Sequence, residues 1–186
     1  MSPLKLPRTL RLDPSDTFVF AQAAEPGEWA VTGSFLFLDA EPDALSPKER
    51  AAFRSGFLGV ASFGFSTLVV VSEATESERA EAVAALARHI LDELGAPDPE
   101  AARAAAEEEI AVAASLCGPP VGTVIALARS LEAGALKERF RTLQRREAMP
   151  GADRLHAQAR AFTFVETDDE PDESVDLVGL MGTGPR

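Results

Sequence analysis

The chain has 186 residues, 46% hydrophobic and 26% charged, with 18 basic and 30 acidic residues for a net charge of −12. This is the length of one ordinary domain and the composition of a globular protein that can bury a core without cross-links. The acidic balance argues against a bulk nucleic-acid binder and against adhesion to an anionic membrane, while the one cysteine, Cys117, excludes an intramolecular disulfide and a thiolate metal cage.

The first third of the chain alternates between apolar and polar residues. Leu10 and Leu12 oppose Thr9 and Arg11; the turn sequence Asp13-Pro14-Ser15-Asp16 follows, and Phe18 and Phe20 then alternate with Thr17 and Val19. After Pro26-Gly27, Val31, Gly33, Phe35 and Phe37 alternate with their neighbours, so three strands of an antiparallel meander are predicted. Ser46-Pro47-Lys48-Glu49 carries a capping box with proline at the first helical position, and predicts a helix bearing Phe53 and Phe57. Residues 59–72 return to strand, with Phe63, Phe65, Thr67, Val69 and Val71 on one face and Ser62, Gly64 and Ser66 on the other. So small a face lets a helix or a ligand approach the backbone closely.

From Glu76 the period becomes helical, with Val83, Leu86, Ala87, Ile90, Leu91 and Leu94 on one stripe, ended by Gly95 and Pro97. Asp98-Pro99 opens a second helix, which Gly118-Pro119-Pro120 stops. The spacing of Val124, Leu127, Ala128 and Leu131 predicts a third helix broken at Gly134, and Leu136 to Ala148, carrying Phe140 and Leu143, a fourth. Ala159 to Val165 alternates as a returning strand. The expected architecture is α+β: an antiparallel meander sheet packed against three to four helices, with residues 1–165 as one domain and 166–186 as an acidic tail.

Charge is segregated. Residues 117–165 hold 8 basic and 4 acidic groups, between a stretch (74–116) with 3 and 10 and a tail (166–186) with 1 and 7. In the expected fourth helix, Lys137, Arg141 and Arg145 share a face, with Arg139 and Arg146 nearby. The bland reading is neutralisation of acidic segments of the same molecule; the functional reading is a docking surface for an acidic partner or anionic ligand. Nucleic acid fits poorly, since Phe140 is the only aromatic neighbour.

Chemistry-bearing motifs are sparse. Cys117 precedes Gly118-Pro119-Pro120-Val121-Gly122-Thr123; a thiol at a helix start is activated, but the apolar neighbours favour a buried inert cysteine. The loop itself lacks the Lys-Ser/Thr of a phosphate-binding loop, and its prolines remove donors. His89 and Glu93, or Asp153 and His156, are thin pairs for a metal, and paired Glu-x-x-His motifs are missing, so no metal or cofactor is expected. Glu109, Ala113 and Cys117 share a helical face. A pocket between Ser62, Gly64 and Ser66 and the pair Glu109 and Cys117 is therefore the alternative site, for a small molecule or anion. No nucleophile, base and orienter set is recognisable, which favours a non-enzyme.

No apolar run reaches the ~20 residues that span a bilayer, and residues 1–13 lack the apolar centre of a signal peptide, so the cytoplasm is the expected location and no membrane partner is expected. The absence of Asn and Tyr, with three Lys and three Ile against 33 Ala, points to a GC-rich bacterial genome.

The stretches Arg8–Phe20 and Arg54–Thr67, with Ser115-Leu116-Cys117 and Glu138–Leu143, resemble a family of small uncharacterised bacterial proteins over most of the chain. The resemblance carries no activity and no catalytic residue. It implies a setting beside accessory proteins of molybdenum-dependent redox enzymes, and hence an assembly or maturation helper. The expectation is a non-catalytic interaction protein that docks through Lys137, Arg139, Arg141, Arg145 and Arg146 onto a protein partner, or a homodimer that buries spare phenylalanines.

Overall fold

The structure, a computed structural model, describes residues 3–145 and 164–166. Its larger sheet runs β1 (Lys5–Leu10), β5 (Leu68–Glu73), β6 (Val124–Glu132), β7 (Ala135–Arg145), β8 (Phe164–Glu166), with every neighbouring pair antiparallel. A smaller antiparallel sheet joins β2 (Ala30–Val31), β3 (Phe57–Gly59) and β4 (Phe65–Ser66). With the helices α1 (Ser15–Val19), α2 (Pro47–Ser55), α3 (Glu76–Leu94) and α4 (Pro99–Ser115), this is the expected α+β class.

Three of the helices start where their caps dictate. At α2 the Ser46 hydroxyl accepts from the Glu49 N–H, and the Glu49 carboxylate accepts from the Ser46 N–H at 2.8 Å. Thr75 and Glu78 form the same reciprocal box at α3, and Asp98 accepts from the Ala101 N–H at 2.8 Å to start α4. Each such cap contributes about 1 kcal/mol. Gly95 ends α3 with φ of 71°, a left-handed conformation that favours glycine. The buried stripe of α3 (Ala82, Val83, Leu86, Ile90) meets that of α4 (Ala102, Ala106, Ile110, Ala113), in one core with Leu6, Val31, Leu58 and Val60. A second core, of Ala30, Phe57, Val69, Val71, Ile125 and Leu127, includes Cys117. A third gathers Phe20, Phe37, Ala52 and Phe53 beside α2.

Several expected elements are different. The Phe18–Phe20 segment is the end of a short helix, not a strand. Asp13 accepts from the Ser15 N–H at 2.7 Å, and the buried Asp16 carboxylate accepts from the N–H and hydroxyl of Thr67 at 3.1 and 2.5 Å. These side-chain bonds outweigh a short alternation, burying Phe20 and leaving Phe18 exposed. The expected strand at 31–38 ends at Val31, because Gly33 takes φ of 75° and starts a 3₁₀ turn, Ser34–Phe37.

The largest correction concerns residues 124–145. They are not two helices but the β6–β7 hairpin, closed at Ala133 and Gly134 with φ of 50° and 79°. Two residues of positive φ are what a two-residue hairpin loop requires. The Gly118–Thr123 segment therefore links a helix to a strand, and its Gly122 N–H donates to Val71 O at 2.9 Å. Of the expected strand at 159–165, the described part is Phe164–Val165 in β8; residues 146–163 and the tail 167–186 lie outside the described residues.

The close backbone approach expected at the small-residue face is real, and it comes from the chain itself. A Cβ on Gly64 would lie 2.5 Å from Ala23 O and 2.7 Å from Ala24 N. Beside it, the Glu28 carboxylate reaches under Gly59 and accepts from both the N–H and the hydroxyl of Ser62. Gly64→Ala is expected to cost about 1–3 kcal/mol by overpacking against backbone. Gly118→Ala, where nothing lies within 4 Å, should stay within about 0.5 kcal/mol of the parent; urea unfolding of the two variants checks the contrast.

Candidate functional site

Strand alternation divides the β6–β7 hairpin into two surfaces. On one face the register pairs Ile125 with Thr142, Leu127 with Phe140, Arg129 with Glu138 and Leu131 with Leu136. On the other it pairs Ala126 with Arg141, Ala128 with Arg139 and Ser130 with Lys137.

The first face buries an arginine. Arg129 is 4% exposed, and its guanidinium is fully engaged. Nε donates to Glu138 at 2.9 Å; Nη1 donates to Phe53 O at 2.7 Å and Ala52 O at 3.3 Å; Nη2 donates to Thr32 O at 2.7 Å and lies 3.5 Å from the Ser34 hydroxyl. The Ala52 and Phe53 carbonyls belong to the last turn of α2, the negative end of its dipole. The Phe37 ring lies 5.0 Å from the guanidinium carbon. Burial pulls the arginine pKa down, and the Glu138 hydrogen bond and charge hold it up. Glu138 also accepts from the Ser34 hydroxyl. On α4, half-buried Glu109 has its carboxyl raised above 4.5 by burial first and by the Glu138 charge second.

The second face carries the predicted cations. Lys137, Arg139 and Arg141 are all exposed and stand at alternate positions of one strand, not at the four-residue spacing of a helix. Small neutral side chains oppose them across β6. Arg139 comes within 4.0 Å of Glu132 at the hairpin end, a pair in which both side chains are more than half exposed, so it contributes little. Arg145 ends β7 by its backbone; Arg146 lies outside the described residues.

The alternative pocket residues have separate surroundings. Ser62 is held by Glu28, and Gln22 donates to its carbonyl at 2.6 Å. Gly64 abuts Ala23, and the buried Ser66 hydroxyl donates to Leu68 O at 2.8 Å. Glu109 is half-buried on α4, and Cys117 is 2% exposed in the second core. The concavity that reaches Cys117 is bordered by Leu4, Lys5, Glu76 and Ser115, and takes in none of the other four. Burial pushes the Cys117 thiol up to about 11, with Lys5 opposing weakly, so it is protonated at neutral pH. His89 uses both ring nitrogens within the chain, on Glu93 at 2.6 Å and Ala61 O at 3.0 Å, and stacks on Phe63. Among the described residues no group of three or more His, Cys, Asp or Glu could hold a metal, and no helix is long and apolar enough to cross a membrane. His156 lies outside them.

The buried Arg129–Glu138 pair is what sequence reasoning missed. Its signal was a single arginine interrupting the alternation Ile125, Leu127, Leu131, opposite a single glutamate between Leu136 and Phe140. Arg129→Met strands Glu138 and three carbonyls, and is expected to cost about 3–5 kcal/mol. Arg139→Met, on the exposed face, should cost less than about 0.5 kcal/mol in the same denaturation series. Glu109 gives a pH test. Its raised pKa means the folded state holds the proton more tightly, so ionisation costs stability as pH rises from 4.5 through the raised value. Glu109→Gln should therefore stabilise at pH 7, and the gain should vanish below pH 4.5; thermal melts across that range show it.

No curated protein and no solved structure matches the chain. A family of unknown function, DUF6505, matches residues 4–161, a span that runs from β1 through the whole of β7 and so takes in both faces of the hairpin. The chain belongs to the DUF6505 family.

Proposed function

We propose that this chain is a non-catalytic docking or accessory protein that engages an acidic protein partner through the exposed face of β7. One observation carries the reading: Lys137, Arg139 and Arg141 stand exposed in a row on β7, with Ser130, Ala128 and Ala126 as their cross-strand neighbours in β6 and Glu132 reaching Arg139 at 4.0 Å from the hairpin end. Alternate side chains of a strand lie about 6.6–6.8 Å apart, the spacing at which alternate acidic residues of an extended peptide would meet them. The inner polar groups support the same reading, because Arg129, Glu138, Glu28 and Asp16 are all spent on holding backbone and hydroxyl groups. The proposed setting is the bacterial cytoplasm, a reducing compartment that suits a lone buried thiol.

The test is a pull-down from extracts of the source organism with the full chain, its Lys137→Glu/Arg139→Glu/Arg141→Glu variant and an Arg103→Glu control on the exposed side of α4. A partner retained by the control and lost at least tenfold by the triple variant is expected, with binding that weakens as salt rises. Equal retention by all three sinks the reading.

A further inference from the structure

A cavity of about 290 Å³ lies between β4, the 3₁₀ turn and α2, and none of Ser62, Gly64 and Ser66 borders it. Its walls are mostly apolar. Phe37, Phe63 and Phe65 present three rings to it, with Leu36, Leu45 and Ala52 beside them. The Phe37 and Phe65 rings have centroids 6.0 Å apart and planes tilted by 35°, an arrangement that a further aromatic ring can extend.

Phe63 is held against its own preference. Its φ is 58°, a left-handed conformation that is uncommon for so bulky a residue. Three side chains fix the turn around it. Glu28 accepts from the Ser62 N–H at 2.9 Å, Gln22 donates to Ser62 O at 2.6 Å, and His89 Nε2 lies 3.0 Å from Ala61 O. The Phe63 ring also stacks on the His89 ring, with centroids 4.5 Å apart. Backbone strain persists only where the surroundings over-determine it, and it gathers at ligand clamps.

The polar groups at the mouth are not equivalent. Gln22 is spent on the turn, and the Glu49 carboxylate accepts from the Ser46 N–H at 2.8 Å as part of the α2 cap. Lys48 is exposed and, among the described residues, has no ion pair or hydrogen bond. It stands in the first turn of α2, the end of the helix dipole that disfavours a cation, so helix stability does not account for it.

We propose that this cavity binds a small aromatic carboxylic acid, with its ring among Phe37, Phe63 and Phe65 and its carboxylate on the Lys48 ammonium. The ring matches the apolar walls, and the carboxylate supplies the charge that Lys48 lacks. The positive end of α2 favours the same sign. A neutral ring would leave Lys48 unused, and an amine would meet its repulsion. The site is separate from the basic row on β7, so the inference does not rest on the docking reading.

The probe is 3-phenylpropionate, titrated into the full chain by NMR or calorimetry. One site with a dissociation constant on the order of 1 mM or tighter is expected. Lys48→Met should weaken it at least about fivefold, while the uncharged analogue 3-phenylpropanamide keeps its affinity for that variant within about twofold. Ala21 is exposed at the mouth, so Ala21→Phe should plug the cavity and weaken both ligands at least about tenfold without lowering the melting temperature. Failure of 3-phenylpropionate to bind the full chain overturns the proposal. Equal or tighter binding of hexanoate or of 2-phenylethylamine overturns its ligand class. An affinity indifferent to either substitution overturns it too, by putting the acid elsewhere on the surface.

Discussion

A single buried guanidinium ties the molecule together. Arg129 stands on β6 and reaches the C-terminal carbonyls of α2, the backbone beyond β2 and the Glu138 side chain of β7. A cation taken out of water costs several kcal/mol, and only partners around the whole fork offset it. The α2 end, the Thr32–Ser34 turn and the hairpin are thus held in mutual position by a group that tolerates no looser arrangement. The planar five-donor geometry explains why an arginine occupies this place, since a lysine offers one point of charge and three donors.

The same strand pair faces solvent with the opposite logic. Inside, one positive and one negative group neutralise each other at 2.9 Å; outside, three positive groups are set against alanine and serine. Because alternation is fixed by the pleat, locking Arg129 and Glu138 inward sets Lys137 and Arg139 outward. The interior ion pair therefore orients the exposed row, and the register of β7 against β6 links fold to proposed function.

Much of this was legible in the residues. The Ser46–Glu49 box, the Asp98-Pro99 start and the Val83–Leu86–Ile90 stripe each carry a local signal that tertiary contacts reinforce, and Gly64 marked a close backbone approach. The hairpin was not legible, for a physical reason. Val124, Leu127, Ala128 and Leu131 satisfy helical spacing, and Ala, Leu, Lys, Arg and Glu are good helix formers. Against that stood the alternation Ile125, Leu127, Leu131, broken by an arginine that only a distant helix end and an acid can satisfy. The turn itself was muted: Ala133-Gly134 does the work usually signalled by asparagine or aspartate followed by glycine. At α1 the decision lay with Asp16 and its Thr67 partner, far away in sequence. Lys137, Arg139 and Arg141 do share one exposed face, but that of a strand, so their spacing changed with the element beneath them.

The strand order has a bearing on how the chain is made. β1 leaves the ribosome first, yet its partner β5 follows only after the small sheet and α2, and β5 must then wait for β6 until both long helices have been synthesised. Among the described residues the α3–α4 pair, the β6–β7 hairpin and the β3–β4 and β7–β8 pairs join neighbours in sequence, whereas β1–β5 and β5–β6 do not. Contacts of high sequence separation form slowly, because the entropy of closing the intervening loops is lost before they are gained. The nascent protein therefore carries β5, with the apolar Val69 and Val71, paired at most to β1 and with its β6 edge open until the last third emerges; in that interval a chaperone or an early-arriving partner has most to protect.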